Sequence, residues 1–152
     1  IKETCLDHNL SYHLDGARIW NAMVKTNTEP TQYGNIFDSI SICLSKGLGC
    51  PVGSVLIGSS EFINKAIRVR KVLGGGMRQA GYLAACGIYA LNNNIERLKE
   101  DHLKALEIEK LLSKKNYIKK VEEVETNILI FQLKSNYDSN IFLKKMLNNW
   151  KN

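Results

Sequence analysis

Asp15 and Lys46 are the two residues whose types and spacing first suggest chemistry. Each comes just after a predicted strand, over residues 9–14 and 36–44, and a predicted helix over 17–24 separates the strands. A right-handed βαβ unit brings such positions to the carboxyl ends of neighbouring parallel strands, where open α/β sheets bind ligands. Pyridoxal phosphate chemistry requires this pair, a lysine for a Schiff base and a carboxylate for the pyridine nitrogen. On spacing alone, a surface lysine and a helix-capping aspartate explain the pattern as well.

Two glycine-containing segments border the candidate cationic side chains. The segment 45–49, Ser-Lys-Gly-Leu-Gly, leaves room beside Lys46 for a planar ring close to the backbone. The second segment, 74–76, is Gly-Gly-Gly and lacks the Lys-Ser/Thr pair of a phosphate-binding loop. We interpret it as a flexible loop that brings Lys71 and Arg78 near an anion, although a helix-end lysine and an exposed arginine explain these two residues equally well.

The rest of the sequence alternates between strand and helix patterns, which indicates an α/β fold. Beyond the first two strands we predict a loop over 26–35, strands over 52–57, 121–124 and 127–133, and helices over 61–72, 79–91, 95–114 and 141–150. Ser60 is the expected N-cap of the helix over 61–72. The apolar helix over 79–91 and residues 20–24 are expected to be buried, in sheet packing or in a subunit contact.

Composition and charge narrow the class of protein. The chain is 44% hydrophobic and 24% charged, as globular proteins are, and no apolar run approaches the roughly 20 residues of a membrane-spanning helix. The net charge of +6 comes without interleaved exposed aromatic residues, so we expect neither nucleic acid nor membrane as a partner. The 4 cysteines form no C-x-x-C pair, so we expect a reducing, cytoplasmic compartment and no metal site.

Three long segments of the sequence resemble the low-specificity L-threonine aldolase family. They are His13–Ala22, Ser41–Ser54 and Arg70–Gly81, in the family's order, and the resemblance covers roughly residues 10–130. It implies an α/β fold that is a fragment of the type I pyridoxal-phosphate-dependent transferase-like fold. Such a fragment has a mixed, mostly parallel sheet with helices, followed by part of a small α+β C-terminal domain.

The resemblance also implies roles for the candidate residues. Lys46 matches the lysine that binds pyridoxal 5'-phosphate, and Asp15 matches the aspartate that meets the pyridine nitrogen. Arg18 matches an arginine that helps to hold the substrate carboxylate. Lys71 and Arg78 match positions near the pocket, which implies an anion-binding role and a reach across a subunit interface.

Parts of a family subunit have no counterpart in this sequence. Family members carry an N-terminal half with a glycine–threonine phosphate cradle and a histidine stacked on the cofactor ring, and a further C-terminal arginine. We therefore expect residues 1–94 to be the C-terminal half of the cofactor-binding domain and residues 95–152 an incomplete small domain, inactive as an aldolase alone. We expect His8 and His13 not to be the stacking histidine, His13 to be structural at a strand end, and His102 to be solvated.

The activity that the resemblance implies is cleavage of L-threonine or L-allo-threonine to glycine and acetaldehyde. It belongs to threonine catabolism and glycine biosynthesis, and it implies a cytoplasmic homo-oligomer, a dimer or tetramer, or association with the missing part of the subunit. Two alternatives stay open. One is another type I lyase that performs β-elimination or glycine hydroxymethyl transfer, and the other is a basic, non-enzymatic module that binds RNA or a partner protein through residues 61–81.

Overall fold

The computed structural model describes residues 1–150, apart from the side chain of Trp150. The chain divides into two compact units between Lys99 and Glu100. Within the described residues the elements are, in chain order, α1 (Lys2–Asp7), β1 (His13–Gly16), α2 (Ile19–Thr26), α3 (Pro30–Ile36), β2 (Ser39–Cys43), β3 (Ser54–Gly58), α4 (Ser60–Val72), α5 (Gly81–Asn93), α6 (Leu98–Leu112), β4 (Ile118–Val121), β5 (Phe131–Leu133) and α7 (Ser139–Trp150).

The first unit is built on a sheet whose described strands lie in the order β1-β2-β3. β1 runs parallel to β2, and α2 and α3 lie between them in the chain. β3 runs antiparallel to β2, so the sheet is mixed, as predicted, with one parallel and one antiparallel pairing among the described strands. Because β1 and β2 are parallel, their carboxyl ends lie at the same edge of the sheet.

The apolar residues of β2 and α2 form the core on one side of this sheet. Ile40 and Ile42 are buried, and they cluster with Ile19 and Met23, which lie one helical turn apart on α2. Since side chains alternate along a strand, the odd-numbered residues of β2 point to the opposite face. That face carries the polar side chains of β2.

A second buried cluster of the first unit lies along the segment that follows β2. Its members are Leu44, Leu48, Cys50, Ala90 and Leu98. The cluster therefore packs the segment 44–50 against the end of α5 and the start of α6. This packing fixes the backbone of the segment that contains Lys46.

The structure has a helix, α3, within the segment 26–35 for which the sequence predicts a loop. Pro30 lies in the first turn of α3, where a proline's missing N–H is not needed. The Glu29 N–H donates a hydrogen bond to Gln32 Oε1 at 3.1 Å, which satisfies a backbone group at the helix start. The loop prediction is wrong because Pro30 begins a helix here instead of interrupting one.

Several element boundaries differ from the predicted ones by a few residues. β1 begins at His13, and β4 covers Ile118–Val121. The N-cap of α4 is Ser59, whose Oγ accepts a hydrogen bond from the Phe62 N–H at 3.2 Å, and not Ser60. Residues next to the end of a helix or strand often have similar secondary-structure propensities, so sequence alone does not fix which of them is the first or last.

Contacts within this chain bury only a small part of helix α5, among the described residues. Gly87 and Ala90 are its buried residues, whereas Tyr82 is 84% exposed and Tyr89 is 64% exposed. Ala90 belongs to the second cluster and Gly87 lies against Leu44, whereas Ile88, like the two tyrosines, is exposed. Burial of the remaining residues of 79–91 in a subunit contact therefore stays a prediction, whereas Met23 in the segment 20–24 is buried as predicted.

The second unit contains the antiparallel pair β4–β5 and helix α7. The Phe142 ring of α7 lies 5.8 Å from the Tyr117 ring and 6.1 Å from the Phe131 ring, measured between ring centroids. In α6, His102 is 7% exposed and lies three residues before the buried Ala105, on the same helix face. The prediction that His102 is solvated is therefore wrong.

The described residues contain no membrane-spanning helix, no metal-binding cluster and no disulfide. No helix within residues 1–150 is long and apolar enough to cross a membrane. The same residues contain no group of three or more His, Cys, Asp or Glu side chains that could hold a metal ion. Cys5, Cys43, Cys50 and Cys86 are free.

Candidate active site

Lys46 lies in a tight turn that follows β2. The Gly49 N–H donates to the Lys46 carbonyl oxygen at 2.8 Å, and Gly49 has a φ of 77°, which glycine adopts without strain. Leu48 is 2% exposed, whereas Lys46 is exposed. The turn therefore points Leu48 into the core and presents the Lys46 side chain at the surface.

Asp15 and the Lys46 amine lie on the same face of the sheet. Asp15 pairs with Ser41 across the parallel ladder, and paired residues point to the same face. Cys43 shares that face because it follows Ser41 by two residues. Lys46 Nζ donates to Cys43 Sγ at 2.9 Å, so the amine returns to the face that presents the Asp15 carboxylate.

Arg18 lies beside Asp15 at the carboxyl edge of β1. The Ala17 N–H donates to Asp15 Oδ1 at 3.1 Å, which ties the carboxylate to the turn between β1 and α2. Arg18 is the N-cap residue of α2, and its side chain is exposed. A carboxylate at the end of β1 and a guanidinium just after it thus lie at the edge where Lys46 follows β2.

Gly16 allows β1 to approach β2 closely next to Asp15. A Cβ built at Gly16 would lie 2.8 Å from the Ser41 carbonyl oxygen and 3.2 Å from Ile40 Cγ2. The first of these is a backbone atom of the neighbouring strand, so it cannot move independently of the sheet. Glycine is therefore required for the observed pairing of the two strands.

Lys71 and Arg78 lie on α4 and on the loop after it. Lys71 is in the last turn of α4, Arg78 follows the glycine loop, and both are exposed. Within residues 1–150, no hydrogen bond or ion pair joins either of them to Asp15 or Lys46. Their role in a pocket therefore stays a prediction.

Sequence reasoning missed Arg70, which lies next to the predicted Lys71. Arg70 lines a depression of about 540 Å³ together with Ser41 and Ser54 from the polar face of the sheet. Ile67 lines the same depression, so the face of α4 that approaches the sheet includes Arg70. The three-residue spacing of Ile67 and Arg70 is the sequence signal that could have placed the exposed Arg70 beside this depression.

Comparison with known families assigns the chain. A sequence profile described as beta-eliminating lyase matches residues 1–136. The chain belongs to the beta-eliminating lyase family. Its members depend on pyridoxal phosphate, as the resemblance implies.

Curated relatives of this beta-eliminating lyase family chain carry a common description. The low-specificity L-threonine aldolase of Escherichia coli K12 is 58% identical over 96 residues, which cover 63% of this chain and 29% of that protein. The low-specificity L-threonine aldolase of Saccharomyces cerevisiae is 42% identical over 149 residues, which cover 97% of this chain and 38% of that protein. The predicted resemblance is confirmed, and the chain spans about a third of the length of these relatives.

Two solved structures have the same fold as this chain. A chain from Listeria monocytogenes, proposed to be an L-allo-threonine aldolase, superposes with a TM-score of 0.76 at 23% identity and covers 84% of this chain and 36% of that chain. A beta-eliminating lyase/threonine aldolase candidate from Exiguobacterium gives a TM-score of 0.75. These likenesses confirm the predicted α/β fold with a mixed sheet, present here as part of a larger fold.

The side chains at the carboxyl edge fit the ring end of pyridoxal phosphate. The exposed Lys46 amine and the exposed Asp15 carboxylate lie on one face. The amine could bond to the cofactor's carbonyl carbon, and the carboxylate could accept a hydrogen bond from the protonated ring nitrogen. Gly47 lets the turn beside Lys46 pack closely on the core, since a Cβ built there would lie 2.7 Å from Leu98 Cδ2. The residues of this chain are therefore compatible with the cofactor of the family.

The close approach at Gly16 generates a stability prediction. Gly16→Ala should lower the free energy of unfolding by about 1–3 kcal/mol, because the new methyl group overlaps the Ser41 carbonyl and forces the strands apart. Gly34→Ala is the matched control, since nothing lies within 4 Å of its Cβ position on α3. That variant should be unchanged or more stable by about 0.5–1 kcal/mol. Urea unfolding of both variants tests this, and equal stabilities would contradict the assigned strand contact.

Proposed function

We propose that this chain carries part of the active site of a pyridoxal-phosphate-dependent aldolase that cleaves L-threonine or L-allo-threonine to glycine and acetaldehyde. The observation that carries the proposal is the Lys46 amine on the face of the sheet that presents Asp15, within a chain of the beta-eliminating lyase family. The description of the relatives as low-specificity L-threonine aldolases supports the choice of substrate.

Each residue of the edge has a distinct role in this proposal. Bound pyridoxal phosphate supplies an electron sink for the electron pair left at the substrate Cα. The Lys46 amine binds the cofactor's carbonyl carbon and moves protons at the substrate Cα. The Asp15 carboxylate keeps the proton on the ring nitrogen, and the Arg18 guanidinium holds the substrate carboxylate.

Arg18 also selects the bond that breaks. A planar guanidinium can hold a carboxylate by two parallel hydrogen bonds, which fixes the direction of the group as well as its position. With the carboxylate fixed, the Arg18 guanidinium would hold the substrate in the orientation in which the Cα–Cβ bond, and not another bond at Cα, breaks. As that bond breaks, a base takes the substrate hydroxyl proton, the hydroxyl oxygen becomes the carbonyl oxygen of acetaldehyde, and the electron pair of the broken bond stays at Cα.

The family match favours one second candidate activity. The matching profile is described as beta-eliminating lyase, and β-elimination uses the same amine and carboxylate but breaks a bond at Cβ. Product analysis of the full-length protein with threonine, serine and tyrosine distinguishes the two activities. Acetaldehyde and glycine from threonine support the aldolase, whereas keto-acid and ammonia from serine or tyrosine support the eliminating lyase.

We also propose that the working protein is a cytoplasmic homo-oligomer, a dimer or tetramer, that acts in threonine catabolism and glycine formation. The exposed Lys71 and Arg78 would then meet an anion at a subunit interface.

Because the chain spans about a third of the length of its relatives, we expect the 152 residues alone to be inactive. Light scattering gives the oligomeric state of the full-length protein, and threonine turnover by the purified 152-residue chain would contradict the expected inactivity.

Replacement of Lys46 tests the proposed function. In the full-length protein, Lys46→Ala should remove the visible absorbance of lysine-bound cofactor and lower turnover of threonine by about 10²- to 10⁴-fold, because the proton-transferring amine is lost. The control is Lys65→Ala, which removes an exposed lysine paired with Glu61 on α4. That variant should keep both the absorbance and the turnover. A Lys46→Ala protein with normal absorbance would contradict the assignment.

Conservative substitutions of the other two residues should affect different kinetic constants. Arg18→Lys should mainly raise KM for threonine, by about 10- to 100-fold, since a point charge replaces a two-pronged hydrogen-bond donor, and the less fixed direction of the carboxylate should cause a smaller loss in kcat. Asp15→Asn should keep an altered visible absorbance and lower kcat, because the neutral amide no longer holds the ring-nitrogen proton. Steady-state kinetics and absorbance spectra separate the two. An Arg18→Lys effect confined to kcat would contradict the carboxylate-binding role.

A further inference from the structure

Two side chains that follow α5 hold the turn that contains Lys46. Asn94 Nδ2 donates to the Leu48 carbonyl oxygen at 2.7 Å, across a separation of 46 residues. Arg97 Nη2 donates to the Gly47 carbonyl oxygen at 3.3 Å. These hydrogen bonds fix the carbonyl groups of the two residues that follow Lys46.

The Asn94 bond is the stronger of the two constraints. It is partly buried, and Leu48 itself is 2% exposed within the cluster that includes Ala90. A buried carbonyl without a partner costs about 1–3 kcal/mol, so the turn is held in the position where the Asn94 amide can reach it. Gly49 would place a Cβ 3.9 Å from Asn94 Nδ2, so a side chain there would come into contact with the amide.

We propose that Asn94 is a positioning residue for Lys46. The inference rests on the proposed function of Lys46. Asn94 does not reach the reacting atoms, and it acts by holding the Leu48 carbonyl, which limits the directions that the Lys46 side chain can take. A fixed turn presents the amine to the face of Asp15 before the cofactor binds, so less conformational entropy is lost on binding.

A matched pair of variants tests this role in the full-length protein. Asn94→Asp keeps the size of the side chain but replaces the donating amide by a carboxylate that faces the Leu48 carbonyl. Asn93→Asp is the control, because Asn93 Nδ2 donates only to the Tyr89 carbonyl of its own helix, at 2.8 Å. Both variants place a negative charge at the end of α5, so their effects on the helix dipole are alike.

The measurement is a titration of each folded apoprotein with pyridoxal phosphate, followed by visible absorbance, at a temperature where circular dichroism shows all variants folded. Asn94→Asp should bind the cofactor about tenfold more weakly than Asn93→Asp, the effect of one lost hydrogen bond. It should also lower kcat while KM for threonine stays within about twofold, since Arg18 is held by α2 and not by Asn94. A residue with a merely structural role would change the unfolding midpoint and leave the affinity of the folded protein unchanged.

Equal affinities of the two folded variants would overturn the proposal. If Asn94→Asp does not fold, Arg97→Ala replaces it, with the exposed Arg68→Ala on α4 as its control. Weaker binding by Arg97→Ala alone then supports the positioning of the turn, and equal binding overturns it. Absence of visible absorbance in the unaltered protein would instead contradict the proposed function, so the two failures are distinguishable.

Discussion

The parallel pairing of β1 with β2 is the constraint on which the candidate site depends. It places Asp15 opposite Ser41 and brings the ends of both strands to one edge. A shift of the register by one residue would turn Asp15 to the apolar face, and the burial of Ile40 and Ile42 against α2 opposes such a shift. The carboxylate is therefore held in place by apolar packing on the other side of the sheet.

The same segment combines a fixed backbone with an exposed reactive side chain. Leu48 and Cys50 are buried, and the Asn94 amide donates a hydrogen bond to the Leu48 carbonyl oxygen. Lys46, in the same turn, is exposed. Most of the stabilising contacts lie on the inner side of the turn. A side chain on its outer side can change its contacts, for example by leaving Cys43 Sγ, without disturbing the core.

The parts of the site that follow from local sequence could be predicted, and the parts that depend on distant contacts could not. Asp15 and Lys46 can be identified from the sequence because each comes after an apolar predicted strand and lies beside turn residues. Asn94 cannot be identified in this way, because its partner is 46 residues away and its own segment has the composition of a turn. Similarly, the sequence predicts a loop where α3 forms, because Pro30 is compatible with a loop and with the first turn of a helix. The hydrogen bond from the Glu29 N–H to Gln32 Oε1 distinguishes the two.

The central claim is that Lys46 is the residue that binds the cofactor. Borohydride reduction of the full-length protein loaded with pyridoxal phosphate makes the lysine–cofactor bond permanent, and peptide mapping by mass spectrometry then locates the pyridoxyl group. The account predicts the label on Lys46, in the peptide that contains Ser45 and Gly47. A label on Lys71, or on any lysine other than Lys46, would contradict it.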